Sequence, residues 1–205
     1  MHPIRKLIQE GEHESLDFKQ EISSARKIAK TMVSFANHKG GKLLVGVRDN
    51  GAIAGVRSED EKYMLETAAS FYCRPEIQLS IEEWELDGKT VLEVNVPEGK
   101  DKPYAAMGED NKWWVYIRVK DKSLLASKIV VDVLRAGKKE NLIQFGHNEK
   151  KLLDYLANND RITLAVFCKI VNISRRRASR IIVSLIRAGV IRSHNTEKTE
   201  YYTLS

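Results

Sequence analysis

Apolar residues along this chain fall into two kinds of run, one at helical spacing and the other alternating or continuous over strand length. Pro3–Gln9 reads as a short helix. A longer one begins near Ser23 or Ser24, with Ala25, Ile28, Ala29, Met32, Val33 and Ala36 on one face. His38-Lys39-Gly40-Gly41 ends it, because glycine accepts the left-handed turn that closes a helix. Lys42–Val47 has the length of a strand, Arg48-Asp49-Asn50-Gly51 reads as a hairpin turn, and Ala52–Val56 as the returning strand. Ser58–Tyr72 reads as a helix with Asp60 and Glu61 in its first turn, where the helix dipole favours acids. Gln78–Leu86 and Thr90–Val96 read as an antiparallel pair joined at Asp87-Gly88-Lys89. Glu98–Asn111 is a loop, Trp113–Val119 a strand, and Ser127 to about Leu134 a helix.

The C-terminal part follows a different order. Glu149–Leu156 carries Leu152, Leu153, Tyr155 and Leu156 on one helical face. Arg161-Ile162-Thr163 is a short extended piece, and Leu164–Val171 a second helix. After a turn at Asn172-Ile173-Ser174, a third helix runs Arg175–Ala188 and stops at Gly189. Val190–Ser193 and Tyr201–Leu204 make two strands around His194–Thr199. Helix, helix, short turn, helix and hairpin is the order of a winged helix-turn-helix. The expected units are therefore 1–135, a linker at 136–147, and 148–205.

Charge sharpens this division. The net charge is +6, and residues from Asn141 onward hold eleven Lys and Arg against five acids, so the first 140 residues are neutral. A positive field confined to one region attracts polyanions, whereas a diffuse one mainly aids solubility. Turning the third helix by about 100° per residue places Ala178, Ile181, Ile182, Leu185 and Ala188 together as the buried face. Arg176, Ser179, Arg180, Val183 and Arg187 fall opposite. Helix-turn-helix proteins set this outward face into the major groove, where an arginine fork pairs with guanine or phosphate. Arg175 and Arg177 flank the face and reach toward phosphates, Ser174 caps the helix, and Lys198 lies at the wing. Double-stranded DNA is the partner these residues imply. A solvated charge run and a protein-interaction module are the competing readings.

Other classes recede. The longest apolar runs are too short to span a bilayer, and no apolar leader opens the chain, so a cytoplasmic protein is expected. Cys73 and Cys168 lie in separate apolar segments and read as buried free thiols. The glycines before Lys42 do not make a phosphate-binding loop, since Ala36 stands where the first glycine is needed and Leu43 where a Ser or Thr is.

Three sets of residues carry a resemblance to a known family. They are Gly11, Glu12, Asp17, Phe18 and Lys19; then Phe35, Ala36, Asn37, Gly40 and Gly41; then Gly46, Val47, Asp49, Asn50 and Gly51. With Val96-Pro97-Glu98, Lys102-Pro103-Tyr104 and Tyr116–Val119, they resemble the Schlafen/AlbA-type (AlbA_2) domain over roughly residues 10 to 130. The resemblance implies an α+β first unit with a mixed or antiparallel sheet. Joined to a winged helix, it is similar to proteins labelled transcriptional regulators. Some Schlafen proteins cleave RNA with a metal held by three carboxylates. By position these are Glu12, Asp17 and Asp49, with Asp standing where the family has Glu at the second. The favoured reading needs no cofactor and no catalysis. A divalent metal and cleavage of RNA or single-stranded DNA belong to the alternative only. Because paired half-sites multiply affinity, a homo-oligomer is expected.

Overall fold

The computed structural model describes residues 2–56, 59–137 and 146–205. Most of the expected linker at 136–147, and the expected helix start at Ser58, lie outside them. The chain divides into two compact units, Met1–Ala126 and Ser127–Ser205.

The first unit opens with α1 (Pro3–Glu10), where His2 Nδ1 accepts from the Ile4 amide and Pro3 takes a position whose missing N–H costs nothing. Strand β1 (Leu16–Lys19) follows, then α2 (Ala25–Asn37), capped by the Ser24 hydroxyl at the Lys27 amide. Next come β2 (Gly41–Val45), α3 (Glu59–Phe71), β3 (Cys73–Arg74), β4 (Ser80–Leu86) and β5 (Lys89–Val96). Strands β6 (Ala105–Met107), β7 (Trp113–Val119) and β8 (Lys122–Leu125) complete the unit. Two four-stranded sheets result, ordered β1-β2-β5-β4 and β3-β6-β7-β8. Only β1 and β2 run parallel, so the first sheet is mixed.

Alternation along β2 assigns the layers, since successive side chains point to opposite faces. Leu43 and Val45 enter the core formed with α2 and α3, beside Met32, Val33, Leu65, Leu92 and Val94. Leu44 turns the other way and joins Leu16, Phe18, Val91 and Ile4 of α1. The outer strand β4 leaves its free edge to solvent and exposes Glu82, Glu83 and Glu85.

Several elements depart from expectation. The segment after β2 does not return as a strand; only Ile53 bridges back, to Val47. Both edges of β2 are already taken by β1 and β5, which leaves no ladder for a hairpin partner. Strand β1 was hidden in an acid-rich stretch, although Leu16 and Phe18 are fully buried. The expected loop at Glu98–Asn111 contains β6, and β3 and β8 were likewise unforeseen. Each has four residues or fewer, too short to show a period.

The second unit begins with α4 (Lys128–Ala136), capped by Ser127. The expected first unit included this helix, but its Ile129 is 4% exposed within the core of the second. Helices α5 (His147–Asn158), α6 (Leu164–Val171) and α7 (Arg175–Arg187) precede the hairpin β9 (Ile191–Asn195) and β10 (Glu200–Leu204). Phe167, Ile182, Leu185 and Tyr202 fill the centre. Ile162 exchanges two backbone hydrogen bonds with Tyr202, adding the expected extended piece to the hairpin. Ala188 is exposed rather than buried, because it ends α7 as its C-cap. Among the described residues no helix is long and apolar enough to cross a membrane.

Cys73 lies against the carbonyl of Ala29, and burial pushes its thiol up to about 12. Cys168 is only half-buried. At pH 8 a thiol-specific disulfide reagent should therefore modify one cysteine per native chain and the second only in denaturant. Two equivalents reacting at once would mean the α2–β3 core opens freely.

Candidate nucleic-acid interface

The family-like motifs of the first unit prove to be framework. Phe18 N–H donates to Glu12 Oε1 at 2.8 Å, which fixes the entry to β1. Asp17 is 4% exposed, and its Oδ1 accepts from Arg118 Nη2 at 2.8 Å while Lys19 lies against its other oxygen. The same Arg118 guanidinium donates to the His13 carbonyl and sits 4.7 Å over the Phe35 ring. Asn37, the last residue of α2, donates to the carbonyls of Tyr104 and Tyr116 and accepts from the Tyr104 amide. That saturates its donors and one acceptor and ties the helix end to the second sheet. Gly40 has φ +78°, and a Cβ there would stand 2.7 Å from the Val96 carbonyl oxygen. One on Gly41 would stand 2.6 Å from the Phe35 ring.

The three-carboxylate site implied by resemblance is not assembled. Glu12 is bound to backbone, Asp17 is committed to Arg118, and Asp49 is exposed in the Arg48–Gly51 turn. Among the described residues no three His, Cys, Asp or Glu side chains are grouped so as to hold a metal ion. A carboxylate already neutralised by a buried guanidinium has little charge left to offer a cation.

The second unit presents a different surface. Between α6 and α7, Asn172 takes the left-handed conformation (φ 51°), and the Ser174 hydroxyl then accepts from the Arg177 amide at 3.4 Å. This three-residue turn launches α7 with Ala178, Ile181, Ile182 and Leu185 buried. Arg175, Arg176, Arg177 and Arg180 are exposed on its first two turns, Ser179 is half-buried beside them, and Arg187 is half-buried near the far end. Among the described residues no acid pairs with the four exposed arginines. Cations in the first turn of a helix oppose its dipole, so α7 itself does not favour them there.

Two features escaped the sequence reading. Tyr202 points into the core, so its neighbour Tyr201 points out. There Arg161 lies 5.2 Å over the Tyr201 ring and His194 stacks on it at 4.9 Å. Alternation in the hairpin could have revealed that stack. Lys198 is exposed in the turn at the hairpin tip. The second feature is a cavity of about 650 Å³ beside α7, lined by Arg175, Arg176 and Arg180 from α7 and by Lys128, Ile129 and Asp132 from α4. No periodicity could announce that α4 would lie there.

Residues 12–127 match the family described as Schlafen, AlbA_2. Among solved structures, the DIP2311 protein of Corynebacterium diphtheriae is similar at 19% identity over 62% of this chain and 25% of that one, with a TM-score of 0.47. The chain thus spans about a quarter of that relative's length. The N-terminal domain of a RecG-related protein from Nitrosomonas europaea is 22% identical over 62% of this chain and 97% of that one, with a TM-score of 0.42. No curated protein gives a significant match.

The Asp17–Arg118 pair can be weighed directly. Arg118→Met should cost about 3–5 kcal/mol, because a carboxylate is left buried beside a lost partner. Adding Asp17→Leu should recover most of that loss. Urea midpoints of the first unit measure both; a double variant no better than the single would mean the pair does not act as a unit.

Proposed function

The chain belongs to the Schlafen, AlbA_2 family, and from that premise we propose that it is a nucleic-acid-binding protein acting on double-stranded DNA. In this reading α5, α6, α7 and the β9–β10 hairpin work as a winged helix-turn-helix. Helix α7 enters the major groove with its N-terminal turns, and the hairpin serves as the wing. Arg176 and Arg180 meet base edges or phosphates, Arg175 and Arg177 reach the backbone, and Lys198 touches phosphate beside the groove. Ser174 and Ser179 add hydroxyl contacts at the helix start, and Arg187 lies further along. Outward-facing Tyr201, with Arg161 and His194 stacked on it, extends the interface.

The supporting observation is the unpaired arginine cluster on the first turns of α7. An isolated fold gains from acids at that position, and a bound polyanion supplies the missing partner. A role as a transcriptional regulator in the cytoplasm, working as a homo-oligomer on paired half-sites, follows from the same reading.

The test separates binding from folding. Binding to a random duplex pool should weaken steeply with salt, with a log–log slope of about −3 to −4 for four phosphate contacts. Arg176→Ala with Arg180→Ala should lower affinity at least tenfold. Reversal to Arg175→Glu and Arg176→Glu should abolish binding while raising thermal stability slightly, by about 0.5 kcal/mol per residue. Binding that survives the reversal would place nucleic acid elsewhere on the chain.

A further inference from the structure

The face of α7 assigned to DNA is exposed at Arg175, Arg176 and Arg180, but a second helix flanks it. Helix α4 lies along it: Lys128, Ile129 and Asp132 line one cleft with Arg176, Arg180 and Val183. Ile129 is nearly inaccessible, and half-buried Val183 packs against the same core. The cleft opens on the side of α7 opposite Ile182 and Leu185, so α4 borders the space that a groove would have to occupy. Its cations are those already assigned to nucleic acid, so the cleft is part of that interface and not a second site.

Dimensions decide the consequence. An α-helix with its side chains is about 10–12 Å across, and the major groove of B-DNA is about 12 Å wide. One helix fills it. A second helix beside it on the groove side leaves no room for phosphate walls and bases to close around the first. We propose that α4 is a latch on α7: seated, it keeps the arginine face out of the major groove, and duplex DNA is gripped in full only when α4 lifts away. This inference rests on the proposed function and adds its regulation.

The chemistry of the contact suits a latch. Ile129 is the only side chain of α4 buried to the core level; Val130, Val131, Val133 and Leu134 are half-buried. The seat across from them is rich in like charge, since Lys128 shares the cleft with three arginines and only Asp132 and Glu200 oppose them. One buried isoleucine corresponds to a factor on the order of 10 to 100 in the seated-to-free ratio. Apparent affinity is reduced by the same factor, because only the open fraction binds.

The full chain carries the test. Anisotropy of a labelled duplex pool is measured for the unaltered protein, for Ile129→Asp, and for Ile129→Asp with Arg176→Ala and Arg180→Ala. Circular dichroism melts check that the second unit stays folded, and the milder Ile129→Ala replaces Ile129→Asp if it does not. The expected result is about tenfold or tighter binding by the released variant, lost again when the two arginines go. Amide exchange supplies a second reading without mutation: the amides of α4 should exchange faster when duplex is added. If the unaltered protein binds through Arg176 and Arg180, yet release brings no gain and α4 stays protected, the latch is overturned while the DNA reading stands. If no form binds duplex, both fall together.

Discussion

The first unit hangs on one buried guanidinium. Arg118 projects from β7 of the second sheet, reaches Asp17 on β1 of the first, and lies over Phe35 of the helix between them. Neither charge could be carried into that interior alone, since an unpaired buried ion costs several kcal/mol. The two sheets therefore cannot settle at arbitrary angles about α2. They close where a carboxylate, a planar cation and an aromatic face meet. Asn37 holds the other end of α2 by the same logic, exchanging hydrogen bonds with Tyr104 and donating to the Tyr116 carbonyl.

Those residues were legible as a pattern before they were legible as a structure. Phe35, Asn37, Gly40 and Gly41 stood out together, and each has a steric or hydrogen-bonding reason to be what it is. What the pattern could not convey was the partner. Arg118 is 101 residues from Asp17, and no local spacing links them. The long amphipathic elements were readable because α2 and α7 each repeat their apolar face over several turns. Strands such as β3 and β6 were not, because two or three residues carry no period and gain their place only from neighbouring strands. The placement of α4 was illegible for a related reason: its apolar face is broad, and either unit could have received it.

The same contrast separates the two candidate chemistries. The acids at Glu12, Asp17 and Asp49 share a motif, but Glu12 is held by the Phe18 amide, Asp17 by Arg118, and Asp49 lies exposed in a turn. The four exposed arginines at the start of α7 have no such pairing among the described residues. They sit where the helix dipole disfavours them, on a segment that is otherwise well capped and well packed. Residues that a fold tolerates rather than needs are the ones that point to something outside it.

The edge of the first sheet bears on how copies of the chain could come together. Along β4 the backbone is free to pair, yet Glu82, Glu83 and Glu85 crowd its rim. Two such rims laid side by side would bring six carboxylates to one seam, with only Glu83 of each held by Lys62, a repulsion that backbone hydrogen bonds would have to overcome. A continuous eight-stranded sheet built through β4 is thus the arrangement the sequence works against, and any symmetric assembly has to find its axis on another surface.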